Sequence, residues 1–433
     1  MADGKRSTSP TQMARSILRR LSGISIHRKG IFPETADVVL RIFEHVAATS
    51  TADTLALARV CRSWRQLAFG VSVWRSINLP MSVPTKPRDV RQARAWNCDH
   101  ETLAAVANHV RSGRLPRGVT TSLTFYAGLP EEEDLWPACW DNEKIKNAFM
   151  TVLAYVAPGL RKFEFEAGVA WQAEVVETLC AGATPGRLTE VTLSFRDATD
   201  ECLATVTEET PAIQRKLALL HPFLPALETL RVDWPLDRLT VRELLTGERL
   251  APEEVPQADR PENPFGYPYC FHVAPLAGPF VLPPTAVYPN LQSLRLADFS
   301  VSEGEEFSLT RYDTVYQLFA TAFPGLKELE LDARWRRHPG GFRTFPFVYL
   351  DVLLREDGEF IRFPGVERVV LARGKLEGDI KPVTEVKGLK DERSLVQPEG
   401  VKMVMRKFPA ARSLEVRWRE GVSRKLKVKR VNL

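Results

Sequence analysis

Cysteine is sparse in this chain, with six in 433 residues, and the closest pair, Cys180 and Cys202, lies 22 positions apart. No C-x-x-C exists, so neither zinc-type clustering nor a disulfide framework is expected, and the thiols read as reduced. The seven histidines are scattered, and none stands in an H-E-x-x-H frame. Gly-rich phosphate loops and G-x-S-x-G elbows are missing as well. The pattern therefore offers no catalytic, metal or cofactor site, and the expectation is a non-enzyme without cofactors. No run approaches the roughly 20 apolar residues of a membrane helix, which argues against a membrane-spanning role.

A net positive charge is also missing from the middle. The formal net charge is +5, from 59 basic and 54 acidic side chains. Residues 1–30 alone hold seven bases (Lys5, Arg6, Arg15, Arg19, Arg20, Arg28, Lys29) against Asp3, and 424–433 add five bases and no acid. The body between them is net acidic and has no overall pull on phosphate backbones, so no nucleic-acid partner is expected. Residues 1–30 read as a basic disordered tail; a targeting segment or a nuclear or membrane-surface patch are the sharper alternatives. No apolar core follows the early bases, so a secretory signal is not expected. A cytoplasmic and/or nuclear location follows.

What is present is concentrated first in residues 31–80. Val38, Val39, Ile42, Phe43 and Val46 follow the i, i+3, i+4, i+7 template of one helix face. Asp37 reads as a first-turn carboxylate. Thr49, Ser50 and Thr51 break the pattern and supply capping hydroxyls for a second start. From Asp53 to Phe69 the period resumes, with Leu57, Val60, Cys61, Trp64, Leu67 and Ala68 on one face. Gly70 interrupts, and Val73–Leu79 forms a short apolar element closed by Pro80. Helices this short have apolar faces too wide to bury among themselves, so they must dock on the rest of the chain or on a partner.

The order Phe32-Pro33, Val38-Val39-Leu40-x-Ile42-Phe43, Leu57-x-x-Val60-Cys61-x-x-Trp64-x-x-Leu67-Ala68 and Val73-Trp74 resembles the F-box. The resemblance implies docking on the Skp-family adaptor of a cullin–RING ubiquitin ligase. It implies that Phe32, Pro33, Val38, Val39, Ile42, Val60, Cys61 and Trp64 contribute to the adaptor-facing or core surface. On its own residue type, Cys61 reads as a small buried apolar group rather than a nucleophile. Trp74 reads as an intramolecular anchor.

After a connecting segment at 81–114, residues 115–433 repeat a phrase: aromatic or apolar, Pro, small, then apolar-x-x-apolar-x-apolar. Copies end in Phe163/Phe165, Val191/Leu193, Leu230/Val232, Leu294/Leu296, Leu329/Leu331, Val369/Leu371 and Leu414/Val416, after a weaker first copy at Leu123/Phe125. The two-residue alternation predicts short strands, and helical patterns at Ile145–Val156, Ala173–Cys180, Ile213–Leu220, Thr314–Phe323 and Val348–Arg355 precede several of them. Strand–helix alternation predicts parallel strands joined by right-handed crossovers. The phrase resembles leucine-rich repeats, but steps of 28 to 64 residues are too uneven for regular copies.

The expected fold class is α/β: a small all-α helical F-box module followed by an irregular right-handed α/β solenoid with parallel strands. Two insertions interrupt it. Residues 251–289 carry ten prolines and the aromatics Phe265, Tyr267, Tyr269 and Phe271, a candidate substrate-side element. Residues 377–400 are polar and read as mobile. The expected function is a substrate-recognition adaptor of an SCF-type ubiquitin ligase, with a Skp-family adaptor, through it a cullin–RING scaffold, and a protein substrate as partners. The alternative is an α/β repeat scaffold outside the ubiquitin pathway, whose N-terminal helices cap the solenoid.

Overall fold

A computed structural model describes residues 33–81, 102–127, 143–167, 172–194, 213, 215–232, 238–248, 283–299, 318–334, 362–373, 397–420 and 425–433. The chain divides into two compact units, Met1–Gly159 and Leu160–Leu433.

In the first unit, three helices, α1 (Pro33–Thr49), α2 (Thr51–Leu57) and α3 (Arg62–Ala68), lead through a 3-10 turn at Val73–Arg75 into strand β1 (Ser76–Met81). Helix α4 (102–111) and strand β2 (Ser122–Ala127) follow. Strands β1 and β2 are parallel, with Ile77 beside Leu123 and Leu79 beside Phe125, all fully or almost fully buried. Helix α5 (Glu143–Val156) supplies Phe149, whose ring lies 4.5 Å from that of Phe125.

In the second unit the predicted strands are where the repeated phrase puts them. They are β3 (Lys162–Ala167), β4 (Glu190–Ser194), β5 (Thr229–Val232), β6 (Ser293–Phe299), β7 (Glu328–Arg334), β8 (Arg368–Arg373) and β9 (Ser413–Glu420). Each pairs in parallel with the next. The uneven sequence steps vanish in the register: Phe163, Val191, Leu230, Leu294, Leu329, Val369 and Leu414 form one continuous row and are all 0% exposed. Insertions lengthen the connections without shifting the ladder, because side chains alternate with period two and a one-residue slip would expose the whole row. Helices α6 (Gln172–Gly182), α7 (Arg238–Thr246) and α8 (Pro398–Lys407) and a 3-10 segment at Ala218–Phe223 lie among the connections.

The Pro-small step has a physical cause. In Tyr288-Pro289-Asn290-Leu291, Phe323-Pro324-Gly325-Leu326, Phe363-Pro364-Gly365-Val366 and Phe408-Pro409-Ala410-Ala411, the fourth N–H donates to the first carbonyl at 3.0–3.4 Å. Each phrase is thus a β-turn, with proline at its second position, where a fixed φ suits it. The small third residue lets neighbouring turns stack: a Cβ on Gly325 would collide with the Pro289 carbonyl oxygen. After each turn, one carbonyl accepts two N–H groups from the following phrase. Arg161, Thr189, Glu228, Gln292, Lys327 and Glu367 all do so, at 2.8–3.2 Å.

Four expectations about the elements need correction, and the first is the all-α module, since residues 31–80 close with strand β1. Strand β10 (Lys425–Asn432) is antiparallel to β9, so the second-unit sheet is not wholly parallel and the basic C-terminal run is a strand rather than a tail. The polar stretch 377–400 ends in helix, since α8 starts at Pro398, where proline suits the first helical position. The run Asp53–Phe69 is two helices rather than one; its break is described below. The helical pattern Val348–Arg355 lies outside the described residues, as do residues 1–30.

Candidate docking surface of residues 33–81

Helix α1 begins at Pro33, four residues before Asp37, which therefore sits in the second turn and not at the positive end of the helix dipole. Phe43 and Ala47 are buried; Val39, Ile42 and Val46 are half-buried, and Val38 is 58% exposed. The apolar face of α1 is thus wider than the core it meets.

Ser50 starts α2 as expected: its Oγ accepts from the Asp53 N–H at 3.1 Å. The neighbouring Thr51 does something the sequence pattern did not reveal. It is 2% exposed, and its Oγ1 accepts from the Asn78 N–H of β1 at 2.8 Å. The Asn78 side chain also donates to the Thr49 carbonyl at 3.3 Å. Two polar residues 27 positions apart lock the helices to the strand. No periodicity could announce that, because a buried hydroxyl looks like any other threonine in a sequence.

The continuous face from Leu57 to Ala68 is broken. The N–H groups of Arg59 and Val60 bond three residues back, to Ala56 and Leu57, and Cys61 is extended at φ −157°, ψ 172°. Val60 and Cys61 therefore lie in a turn, with Val60 51% exposed. Cys61 is exposed, contrary to the buried role expected of it. Its Sγ instead accepts from the Trp64 N–H at 3.5 Å and caps α3. Trp64 is core: 7% exposed, it meets Phe43 edge-on with ring centroids 5.5 Å apart.

Trp74 is the anchor predicted for it. At 2% exposure it donates from Nε1 to the Ala68 carbonyl at 2.7 Å and stacks on Phe69 at 5.9 Å. Its own carbonyl accepts from Thr120 Oγ1 at 2.9 Å, tying the turn to the chain entering β2.

Of the residues expected on the adaptor-facing or core surface, the structure exposes Val38, Val60 and Cys61, leaves Val39 and Ile42 half-buried and places Trp64 in the core. Pro33 opens α1, and Phe32 lies outside the described residues, as do Phe265, Tyr267, Tyr269 and Phe271. Sequence reasoning missed Val71, which is 57% exposed at the turn after α3. Among the described residues six large apolar side chains are exposed, and three of them, Val38, Val60 and Val71, belong to this short segment. Isolated exposed valines need no explanation, and three within one short helical segment make it the richest in exposed large apolar side chains among the described residues.

Burial pushes the Cys180 thiol up to about 12, which disfavours thiolate chemistry at that residue. Among the described residues no helix is long and apolar enough to cross a membrane.

Residues 36–80 match the F-box-like family. The match spans α1 almost entire, α2, α3 and the 3-10 turn, and it ends inside β1. No curated protein matches the chain.

Proposed function

We propose that this protein is a substrate-recognition adaptor of an SCF-type cullin–RING ubiquitin ligase. Residues 31–80 would dock on a Skp-family adaptor, and the strand-rich remainder, an irregular leucine-rich-repeat-like solenoid, would hold a protein substrate. The observation that carries the reading is the F-box-like match at 36–80 on a segment that leaves Val38, Val60 and Val71 exposed. The chain would perform no chemistry itself. Its mechanism is effective concentration: a two-ended link keeps a substrate lysine near a ubiquitin carrier bound to other subunits. Serving that machinery would put it in the cytoplasm and/or nucleus.

The rival reading is a repeat scaffold whose N-terminal helices act as its cap, and one observation favours it. The F-box-like segment supplies β1, which pairs along its whole length with β2. Deleting residues 1–80 would strip that strand and damage either kind of protein, so a point substitution discriminates better. Val60 is exposed and contributes little to the core; Val60→Asp should leave the melting temperature within a few degrees of wild type. Coexpression with a Skp-family adaptor should recover the complex with wild type and lose most of it with Val60→Asp. Equal recovery of both, or none with wild type, would contradict the adaptor reading.

A further inference from the structure

The outward face of the second-unit sheet carries a layered charge pattern. In one row the strand register sets Arg231, Arg295, Glu330, Val370, Glu415 and Arg430 side by side. The row before it includes Glu328 and Arg368, and Arg417 lies two residues beyond Glu415. Glu415 accepts from Arg417 Nε at 2.6 Å, Arg430 Nε at 2.7 Å and Arg368 Nη2 at 3.3 Å. Glu330 accepts from Arg417 Nη1 at 2.9 Å and lies 3.6 Å from Arg295 Nε. Glu328 bonds Arg368 at 3.2 Å and approaches Arg231 at 3.9 Å.

The side chains of Glu415 and Glu330 are 2% and 6% exposed, whereas Arg430 is 69% and Arg368 41% exposed. Glu415 and Glu330 form the floor, Arg430, Arg368 and Arg231 meet solvent, and Arg295, Arg417 and Glu328 lie between. Among the described residues five arginines share these three glutamates, which leaves the patch a cationic surplus. Arg231 and Arg295 are direct register neighbours, a like-charge pairing that costs stability across adjacent strands. An incoming anion would relieve that repulsion. The buried carboxylates hold the planar guanidinium forks in place beforehand, which lowers the entropy lost when they bind.

We propose that this face binds an acidic peptide segment of a partner protein, its Asp and Glu carboxylates pairing with Arg231, Arg295, Arg368, Arg417 and Arg430. Arginine forks match carboxylates in bidentate geometry, and surplus positive charge over a fixed floor favours a run of them. Calling that partner a ubiquitination substrate rests on the adaptor reading; the binding itself does not.

The test is fluorescence anisotropy with the full chain and a labelled glutamate-rich peptide. A lysine-rich peptide, a phosphoserine peptide of neutral sequence and a single-stranded RNA of equal length serve as comparisons. The proposal expects saturable binding of the acidic peptide that weakens with salt and falls at least roughly tenfold in Arg368→Gln/Arg417→Gln. Arg430→Gln, at a largely exposed position where a glutamine amide can still donate to Glu415, should weaken binding severalfold while the melting temperature falls by only a few degrees, which keeps the test valid if the double variant unfolds. No binding, binding indifferent to both variants, or tighter binding of any comparison probe would overturn it. Recovery of the Skp-family adaptor, measured on the same variants, should stay at the wild-type level; failure of the adaptor reading would show there and not in the peptide titration.

Discussion

Single residues in this protein are constrained by what lies across the next turn. Gly325 shows it most sharply, because the Pro289 carbonyl occupies the space a methyl group would need. Gly325→Ala should therefore overpack the stack and cost about 1–3 kcal/mol, read as a lower melting midpoint. Glu415 is the polar counterpart. Burial would raise its pKa, but hydrogen bonds from Arg417, Arg430 and Arg368 more than offset this and hold the carboxyl below its ordinary range. A carboxylate depressed in the folded state contributes stability above its unfolded pKa of about 4.3, and that contribution is lost as pH falls through the folded value. Thermal melts from pH 7 down to pH 3 should show an acid loss of stability that Glu415→Gln reduces. At pH 7 the same substitution should cost about 1–3 kcal/mol through its weakened charge-assisted bonds. An unaltered acid limb in the variant would show that Glu415 is not the linked group.

At the scale of elements, the strands were the most legible part of the sequence. Phe163/Phe165 through Leu414/Val416 announce themselves by alternation, and every one of these pairs is buried. The break between α2 and α3 was hidden, because Val60 and Cys61 fit the helical period as well as Leu57 and Trp64 do. What decides it is backbone hydrogen bonding at Arg59 and Val60 and the cap that Cys61 gives Trp64, neither visible as hydrophobicity. The C-terminal strand was hidden for another reason. Its alternate lysines masked a strand pattern behind a charge run. Register places Lys429 beside Val416, on the side of the sheet that carries the core, and yet it is exposed. A lysine facing that way helps blunt an edge against pairing with other chains. The Leu433 N–H also donates to the Arg412 carbonyl at 2.9 Å, where a further phrase would otherwise bond. Within the candidate site, the sequence marked the segment that matches the F-box-like family but could not sort its apolar residues. Exposure of Val38 and burial of Trp64 depend on how α1, α2 and α3 pack, which periodicity leaves open.

For the whole molecule, the central claim is that the segment matching the F-box-like family meets an adaptor. Cys61 provides a direct probe, since it is exposed beside Val60 in the turn before α3, while burial pushes the Cys180 thiol up to about 12. Alkylation of each cysteine can be timed by peptide mass spectrometry in the free protein and in the purified complex with a Skp-family adaptor. Cys61 should react readily when free and roughly tenfold more slowly in the complex, with Cys180 slow in both. An unchanged Cys61 rate in a complex that has formed, or the absence of any complex, would contradict it.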